Sequence, residues 1–349
     1  MQSIRYDRVD QPIVSVIIPL FNRERLVKEC LDSLSHQVYK DFEVIVVDDG
    51  SDDKSIEVVK SISQVDKRIQ LFKRNRLPKG APTCRNMGID LAIGKYIIFL
   101  DSDDLLHSDC LFNRVQEFEN DDQYDFLVFP ASIFEQSVED SGLRWNVENN
   151  EDYLIRFLKR DAVWQTMMPI YKRSYLQTID GFQEGLTFRQ DYEFHVQQLI
   201  RGASFRCFLD RKPDCYLRRH SQDSISQQSI NRPDKIAVDE ALVIGFINSL
   251  EKNNYGSDYL KICGMVLFSI AVRWVKNHGK LKAIRLVNEL SKLDFSTISR
   301  VKIKIYLLLL KLYHLIPGLL TKTIAAGFFN RLVPNEIKLE ERSMNKVEH

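Results

Sequence analysis

The first 130 residues alternate short apolar runs with segments of helical spacing, and this alternation limits the fold more than any other feature of the chain. The runs, rich in Val, Ile and Phe, read IVSVIIPLF, FEVIVVDDG, RIQLFKRN, KYIIFLDSDD and YDFLVFP. Strands that are apolar on both faces and joined by helices are typical of a parallel sheet covered on both sides. The residues that share one helical face after the first run are Leu26, Cys30, Leu31 and Leu34. The pattern predicts the α/β class, with a Rossmann-like, mostly parallel sheet flanked by helices.

Acidic residues directly follow two of these strands. Asp48 and Asp49 end the second strand, and Asp101 and Asp103 follow the fourth. Each cluster alone also suits a turn or a helix cap, with a helix beginning near Leu105. In a parallel sheet, however, the carboxyl ends of the strands share one crevice, and ligands bind there. Because two clusters converge on that crevice, a ligand or cation site is favoured over capping.

The composition excludes several classes of protein. With 44% hydrophobic and 28% charged residues among 349, and a formal net charge of +1, the chain is neither disordered nor a bulk nucleic-acid binder. Its six cysteines are scattered without a C-x-x-C pair, which indicates reduced thiols of a cytosolic protein. We find no secretory signal and no run of about 18 apolar residues, so we expect a cytoplasmic protein without a transmembrane helix.

The pattern changes along the chain, and we expect two regions. Residues 1–232 form an α/β domain that becomes less regular from about residue 131, and residues 233–349 form a helical appendage. The last third of the appendage is basic and amphipathic, with lysines among Ile and Leu from residue 302 onward. Three roles stay open for it: peripheral contact with the inner face of the cell membrane, packing on the α/β domain, and a homo-oligomer interface. The polar tail is expected to be disordered.

Two stretches carry a resemblance to a known family. VSVIIPLFNRERLVKECLDSLSHQVYKDFEVIVVDDGSDD and GAPTCRNMGIDLAIGKYIIFLDSDD resemble the N-terminal half of family 2 glycosyltransferases, enzymes of the GT-A fold. The resemblance is specific from Val14 to Asp109, looser to about Ser226, and does not cover the C-terminal helices. It implies that residues 1–130 bind a nucleotide-sugar donor and that residues 131–232 bind the acceptor.

The resemblance implies roles for the residues after the first two strands. Pro19, Phe21 and Asn22 match the family's Pro-x-x-Asn segment and are expected to line the pocket of the nucleotide base. Asp49, in the Asp-Asp-Gly-Ser motif, is expected to accept a hydrogen bond from the uracil N3–H. These roles predict a nucleotide-binding site for a UDP-linked donor.

The D-x-D motif of the family matches Asp101, Ser102 and Asp103, and it implies a divalent cation, Mn²⁺ or Mg²⁺. A nucleotide diphosphate beside carboxylates needs such a compensating charge. Asp103 is expected to coordinate the metal, while Asp101 contacts the ribose or a water on the metal. Arg85, in the family's Arg-Asn pair with Asn86, is expected to place a fixed positive charge near the nucleotide, although a surface arginine also explains it.

An inverting transfer also needs a base that takes the proton of the acceptor hydroxyl. The family places this base in a Glu-Asp pair at a helix start, and the match is Gln190-Asp191 in FRQDYEF. Asp191 is therefore the expected catalytic base, on a helix from near Asp191 to Gly202. The glutamine departs from the family pattern and leaves no second negative charge. An acid favoured by the dipole of the helix N-terminus is the alternative explanation of Asp191.

Two further segments have an open interpretation. YLRRHSQDSIS resembles the family's Arg-x-His segment, in which His220 would complete the metal shell or Arg218 would reach a phosphate. A solvated or core histidine is the alternative for His220. The apolar residues of VWQTMMPIY suit either stacking on an acceptor sugar or a hydrophobic core, and the core is favoured. These residues are Trp164, Met167, Met168 and Tyr171.

These observations predict a metal-dependent inverting glycosyltransferase of the hexosyltransferase type. It would transfer a sugar, most simply from a UDP-sugar, to a hydroxyl of a glycan or lipid-linked glycan in bacterial surface-polysaccharide synthesis. The alternative is a non-catalytic protein that binds nucleotide-sugars or glycans and docks to a membrane or partner through its C-terminal helices. A dehydrogenase is disfavoured, because PLFNRER follows the first strand and contains no G-x-G-x-x-G motif.

Overall fold

A seven-stranded sheet and a four-stranded sheet form the framework of the protein. The computed structural model describes residues 12–219, 230–277 and 279–290. The strands are β1 (Val14–Leu20), β2 (Phe42–Asp48), β3 (Ile69–Lys73), β4 (Tyr96–Phe99), β5 (Leu105–Leu106), β6 (Phe126–Val128), β7 (Ala131–Phe134), β8 (Leu143–Arg144), β9 (Pro169–Lys172), β10 (Phe205–Cys207) and β11 (Cys215–Arg218). The helices are α1 (Leu26–Ser35), α2 (Ser55–Val65), α3 (Ala81–Leu91), α4 (Cys110–Asn120), α5 (Tyr153–Leu158), α6 (Arg173–Leu176), α7 (Gln190–Ile200), α8 (Pro233–Lys252), α9 (Ser257–Lys276) and α10 (Lys280–Leu290).

The larger sheet has the order β10-β6-β9-β4-β1-β2-β3 and is mostly parallel. β1 runs parallel to β2 and β4, and among the described strands of this larger sheet only β9 runs antiparallel to its neighbours, β4 and β6. In this register Leu20 lies opposite Asp48, and Ile17 lies opposite Phe99. The predicted sheet is thus confirmed, and the acids after β2 and β4 meet at the same edge of it.

The segment after the D-x-D motif differs from the prediction. The helix expected near Leu105 begins at Cys110, and Leu105–Leu106 instead form β5, which pairs antiparallel with β11. The backbone N–H of His107 donates to the Asp214 carbonyl at 2.9 Å. Local propensity at Leu105 was therefore overridden by a strand partner that is more than 100 residues away in the sequence.

Helix α3 lies close against the centre of the larger sheet. It contacts β1 and β2, and a Cβ atom on Gly88 would lie 2.3 Å from Ile17 Cγ2. A glycine is needed here because any larger residue would push the helix off the strand. This close approach places Arg85, one turn earlier on α3, over the carboxyl ends of the strands.

The helices after residue 232 belong to the same hydrophobic core as the α/β part. α8 packs on α7 and α9, and α9 also packs on α5 and α10. The Tyr192 ring of α7 meets the Phe246 ring of α8 edge-on at 5.6 Å. The helical character expected after residue 232 is observed as far as Leu290, while the basic amphipathic segment lies outside the described residues. None of the described helices is both long and apolar enough to cross a bilayer.

Candidate active site

Asn22 ties the loop after β1 to the loop after β2. Its φ angle is 50°, a left-handed conformation that asparagine tolerates better than most residues. Its Nδ2 donates to Asp52 Oδ1 at 2.6 Å, and its Oδ1 accepts from the Asp52 N–H at 3.0 Å. The backbone N–H of Asn22 donates to Ser51 Oγ at 3.1 Å. The two loops that follow neighbouring parallel strands therefore form one continuous wall of the crevice.

The predicted base-pocket residues Pro19 and Phe21 lie at the carboxyl end of β1. Pro19 is partly buried and pairs with Val47 of β2. Phe21 is 42% exposed, and the ammonium group of Lys79 lies 3.7 Å from the centroid of its ring. The exposed part of this ring offers an aromatic surface on which a planar group could stack, while the Lys79 ammonium covers one face of the ring.

Asp49 is held by a cation from the neighbouring strand end. Its carboxylate is nearly buried, and Oδ1 accepts from Arg74 Nε at 2.5 Å and from the Gly80 N–H at 3.1 Å. The adjacent Asp48 accepts instead from the backbone N–H groups of the turn that follows it. The two neighbouring acids thus differ, because Asp48 stabilises the turn while Asp49 is oriented by residues around the crevice.

The D-x-D motif forms the turn after β4. Asp101 O accepts from the Asp104 N–H at 3.0 Å, and Ser102 is buried within the turn. The side chains of Asp101 and Asp103 remain 39% and 18% exposed. The turn therefore presents two carboxylates to the crevice.

Three arginines surround these carboxylates. Arg85 donates to Asp101 at 2.5 Å, and Arg23 Nε lies 3.5 Å from Asp103 Oδ2. Arg218 Nε donates to the Asp103 carbonyl at 2.9 Å. Much of the repulsion within the motif is therefore offset by the protein itself.

Asp104 has a structural role that the sequence did not reveal. Its Oδ1 accepts from the backbone N–H of Arg218 at 2.8 Å, which fastens the D-x-D turn to β11. Burial raises its pKa well above the usual range, and the charges of Asp103 and Asp101 raise it further. The Arg218 bond and charge act in the opposite direction. Asp104 therefore holds the turn through a partner on β11 and does not cap a helix.

Arg85 connects the D-x-D motif to the predicted base. It is 4% exposed, and while one guanidinium nitrogen donates to Asp101, another donates to Gln190 Oε1 at 3.3 Å. Its guanidinium carbon lies 5.1 Å from the centroid of the Phe182 ring. The surface-arginine alternative is therefore wrong, because Arg85 is buried and bridges two parts of the crevice.

Asp191 lies in the first turn of α7, which begins at Gln190, one residue before the predicted start. The carboxylate is partly buried. Burial raises its pKa, the positive charge of Arg85 lowers it, and the negative charge of Asp101 raises it. The net direction is upward, which makes the carboxylate a stronger base than a solvated aspartate.

Asn86, the partner of Arg85 in the Arg-Asn pair, holds the loop that leads toward α7. Its Nδ2 donates to the Phe182 carbonyl at 2.8 Å and to Glu184 Oε1 at 3.1 Å, and its Oδ1 accepts from the Phe182 N–H at 2.8 Å. Gly181 has a φ angle of 70°, and a Cβ there would lie 2.5 Å from Asn86 Oδ1. Successive residues of α3 thus contact both the D-x-D motif and the base-bearing segment.

The Arg-x-His segment is described only in part. Arg218 belongs to β11 and also donates to Glu29 Oε2 at 2.6 Å, so its guanidinium is held against α1. His220 lies outside the described residues, and its metal role stays a prediction.

The D-x-D carboxylates fit a hard divalent cation. Mg²⁺ in nucleotide sites is held through one or two carboxylates plus phosphate oxygens. Asp103 is partly exposed, and its ion pair with Arg23 is long for a charged hydrogen bond. Among the residues that the structure describes, no group of three His, Cys, Asp or Glu side chains converges on one point. Substrate oxygens would therefore have to complete the shell of a cation at Asp103.

The apolar residues considered for acceptor stacking are all in the core. Their exposure is at most 1%, and Trp164 packs against Phe157 and Phe126. The core interpretation of this set is confirmed, and none of its members faces a sugar: Trp164, Met167, Met168 and Tyr171.

Sequence reasoning missed several cations around the crevice. Arg74 follows β3 directly, so its place at the strand-end edge was a signal that could have identified it. Arg23 follows the Pro-x-x-Asn segment and was visible in the same way. The backbone contact between Arg218 and Asp104 had no signal, since the two residues are 114 positions apart.

Comparison with known proteins places the chain in a family. Residues 15–179 match the family model described as glycosyl transferase family 2. The uncharacterized glycosyltransferase EpsJ of Bacillus subtilis is 29% identical over 239 residues, which cover 66% of this chain and 67% of EpsJ. The uncharacterized glycosyltransferase MJ1057 of Methanocaldococcus jannaschii is 30% identical over 205 residues, or 56% of this chain and 68% of that protein.

Some relatives match more closely over a shorter stretch. Six of them are 35% to 50% identical, but over only 97 to 112 residues and over 15% to 41% of their own length. The chain therefore spans less than half of these relatives, and the match concentrates on a region of about 100 residues.

Solved structures resemble the whole described fold. Staphylococcus aureus TarS residues 1–349, crystallised with UDP-GlcNAc, superposes with a TM-score of 0.62 at 18% identity, covering 91% of this chain and 90% of that one. The mannosyltransferase PcManGT of Pyrobaculum calidifontis, solved with GDP-Man and Mn²⁺, gives a TM-score of 0.50 at 17% identity, covering 95% and 89%. At this identity the likeness concerns the fold. The family match and the relative MJ1057 show that the chain belongs to family 2 of the glycosyltransferases, and the sheet and the solved structures show that this transferase is built on the GT-A fold.

Proposed function

We propose that this glycosyltransferase uses a UDP-sugar and inverts the anomeric configuration, with Asp191 as the general base. The observation that carries the proposal is the bridge made by Arg85, which bonds Asp101 of the D-x-D motif and Gln190 beside Asp191. Donor-binding acids and the base then face one crevice. The raised pKa of Asp191 supports its role, because proton transfer is favoured by a stronger base.

The transfer itself is a single displacement. The oxygen of the acceptor hydroxyl bonds to the anomeric carbon while its proton moves to the Asp191 carboxylate. The bond between that carbon and the diphosphate oxygen breaks, and its electron pair leaves with UDP. Because attack comes from the side opposite the leaving group, the configuration inverts. Asp191 then returns the proton to solvent.

A divalent cation, Mn²⁺ or Mg²⁺, fits beside Asp103. When bound, it would neutralise charge on the diphosphate and stabilise UDP as a leaving group. Asp103 would hold it, and Asp101 would contact the ribose or a water on the metal. Arg85 keeps Asp101 in place, and Arg23 lies near Asp103. The PcManGT complex with Mn²⁺ supports a metal in this fold. His220 is proposed as a further ligand on the resemblance alone.

The uridine specificity is proposed for the wall formed by the first two loops. Phe21 offers an exposed ring for the base, beside Pro19 and Asn22. Arg74 and Gly80 both engage Asp49 Oδ1, and we assign Oδ2 as the acceptor of the uracil N3–H. The TarS complex with UDP-GlcNAc supports a uridine donor in this fold.

The acceptor is proposed to be a hydroxyl of a glycan or of a lipid-linked glycan. Residues 131–232 are proposed as the acceptor half, and residues 233–349 as a helical region that makes peripheral contact with the inner face of the cell membrane. The family resemblance supports the acceptor half, and the basic, amphipathic pattern from residue 302 onward supports the membrane contact. These assignments are consistent with a cytoplasmic nucleotide-sugar donor.

A donor screen tests the proposal. The full chain is incubated with a panel of UDP-sugars, GDP-mannose as a purine comparison, and Mn²⁺, and release of the nucleoside diphosphate is measured with and without acceptor glycans. We expect one UDP-sugar to be turned over and Asp191→Asn to lower the rate by about 10²–10⁴-fold. The anomeric configuration of the product is read by NMR.

A matched variant controls for the removal of an acidic side chain near α7. Asp180→Asn removes an exposed carboxylate that pairs with Arg201 near the same helix, and it should leave the rate unchanged. Near-normal turnover by folded Asp191→Asn would remove this residue from the mechanism. Binding of UDP-sugars without turnover of any donor by the wild-type chain would favour the non-catalytic alternative.

A further inference from the structure

Two arginines with a strained backbone converge on one buried carboxylate. Of the four non-glycine residues with positive φ in the described chain, two are Arg160 at 73° and Arg189 at 57°. Arg160 donates to Asp239 Oδ1 at 2.8 Å, and Arg189 Nε donates to the same oxygen at 2.6 Å. Left-handed backbone at such residues persists only where surrounding contacts hold it. Asp239, on α8, supplies that contact for both.

Asp239 is fully buried and forms an ion pair with a third arginine. Arg273 of α9 donates to Oδ2 at 2.5 Å, and the Asp239 side chain is 0% exposed. Burial raises the Asp239 pKa, but the Arg160 and Arg189 charges outweigh this and hold the pKa below its usual range. The carboxylate therefore stays ionised and joins α8, α9 and the segments before α7 in one cluster.

Arg189 is the residue from which α7 begins. Its carbonyl accepts the backbone N–H of Glu193 at 3.0 Å, so its position fixes the first hydrogen bond of the helix. The guanidinium groups of Arg160 and Arg189 lie 5.0 and 5.6 Å from the centroid of the Tyr192 ring. Both neighbours of Asp191 are therefore held, with Tyr192 under these arginines and Gln190 against Arg85.

We propose that Asp239 is a positioning residue for the base Asp191, so that helix α8 of the C-terminal region completes the active site. The inference rests on the proposed function and extends it beyond the GT-A part of the chain. Asp239 does not touch substrate. It fixes Arg189, and Arg189 sets where α7 starts and where the Asp191 carboxylate points. Displacement of a base by about 1 Å costs on the order of 100-fold in rate.

The test measures turnover and donor affinity separately in the full-length chain. Turnover is followed as UDP release from the UDP-sugar found active in the donor screen, and affinity as the Kd of UDP with Mn²⁺ by calorimetry. Asp239→Asn should lower kcat about 10–100-fold and leave the UDP Kd within about twofold. A kcat within twofold of wild type in the folded variant would overturn the inference.

A double variant distinguishes positioning from a general loss of structure. If Asp239 acts through Asp191, adding Asp239→Asn to Asp191→Asn should cost less than about twofold further, since the base is already gone. Additive losses would overturn the inference. Should Asp239→Asn fail to fold, Arg189→Met replaces it in both backgrounds, because the Arg189 side chain is 23% exposed and tolerates substitution better.

Arg273→Met is the matched control. It removes a guanidinium from the same carboxylate, but Arg273 lies on α9 and bonds Asp239 and the Ile230 carbonyl, neither of which is on α7. We expect a lower melting temperature with kcat within about threefold, against the larger loss in Arg189→Met. Equal losses in the two variants would show that the cluster only stabilises the fold, and would overturn the inference.

Failure of this inference can be distinguished from failure of the proposed function. Full activity of Asp191→Asn would overturn the base assignment and this inference with it. An inactive Asp191→Asn together with a fully active Asp239→Asn would overturn only the inference.

Discussion

The guanidinium of Arg85 lies 2.5 Å from the Asp101 carboxylate, and the same side chain reaches Gln190 at 3.3 Å. One buried arginine therefore contacts the turn after β4 and the start of α7, which are about 90 residues apart in the sequence. The crowding of acids in the D-x-D motif is explained in part by this contact, because a fixed cation lies beside the first of them.

Arg85→Met should lower kcat/KM by roughly 10–100-fold and shift the acid limb of the pH–rate profile upward. A charged hydrogen bond contributes about 1.5–3 kcal/mol. The Arg85 charge lowers the pKa of Asp191, so its removal leaves burial and Asp101 to raise that pKa further. The profile of kcat/KM against pH measures the shift. Arg68→Met, at the opposite end of β3, should change neither quantity, and an unshifted limb in Arg85→Met would contradict the electrostatic link.

Asp191→Asn should raise the melting temperature at neutral pH while it lowers the transfer rate by about 10²–10⁴-fold. The folded pKa of Asp191 lies above the unfolded value, so the ionised form disfavours folding, and stability falls as pH rises through the folded pKa. The gain on substitution should therefore shrink as the pH is lowered. Calorimetry between about pH 4 and pH 8 measures how the difference in melting temperature between the variant and the wild type depends on pH. In contrast, the hydrogen bond and charge of Arg201 lower the pKa of Asp180. Asp180→Asn should therefore not raise the melting temperature at neutral pH.

Asp49→Asn should weaken the preference for UDP over CDP. Uracil N3 carries a hydrogen that a carboxylate accepts, whereas cytosine N3 is itself an acceptor, so the wild type should discriminate by about 10-fold or more. The ratio of the two Kd values is the measurement, since it is insensitive to a shared loss of structure. Asp90→Asn, an exposed acid on α3 paired with Arg76, is the control. An unchanged ratio in Asp49→Asn would remove Asp49 from base recognition.

Asp103→Ala should abolish the metal-dependent part of UDP binding. With Mn²⁺ and UDP at about 100 times its Kd, the wild type should melt roughly 3–5 °C higher than without UDP. EDTA should remove this increase, and so should the substitution. Asp109→Ala changes an acid that lies beyond the D-x-D turn near His107 and should retain the increase. Equal protection of Asp103→Ala and wild type would show that the carboxylate does not hold the metal.

Glu193→Gln should stabilise the protein above neutral pH and have little effect in acid. Glu193 is 8% exposed, and burial raises its pKa to about 7. The stability that the buried, protonated carboxyl contributes is fully present below the pKa of Glu193 in the unfolded chain. This contribution is lost as pH rises through about 7. The difference between pH 4 and pH 8 should be on the order of 3 kcal/mol. Urea denaturation at the two pH values measures it, and equal effects at both would contradict a buried neutral carboxyl.

Much of the fold followed from periodicity alone. Apolar runs joined by helical segments predicted a mostly parallel sheet, and the pairs β1–β2, β1–β4 and β2–β3 are parallel. The strand-end location of Asp49, Asp101 and Asp103 followed for the same reason, because parallel strands end at one edge. The start of α7 was predicted to within one residue, since FRQDYEF combines an acidic first turn with helical spacing.

Side-chain partners did not follow from the sequence. Nothing in the order of residues pairs Asp104 with Arg218, or Asp239 with Arg160, Arg189 and Arg273. Such contacts join elements that are 34 to 114 residues apart, and they form only when the helices and both sheets have packed. The same reason explains Leu105–Leu106, where pairing with β11 replaced a predicted helix.

The sequence by itself determined the family, the parallel sheet and the edge of that sheet at which the acids lie, because these depend on local periodicity and on motifs of neighbouring residues. Tertiary structure alone decided that Arg85 is a buried bridge, that the Trp164 segment is core, and that Asp239 of α8 bonds Arg189, two residues before the predicted base. The physical reason is that burial and charge pairing depend on distances between distant segments, which only the packed chain sets.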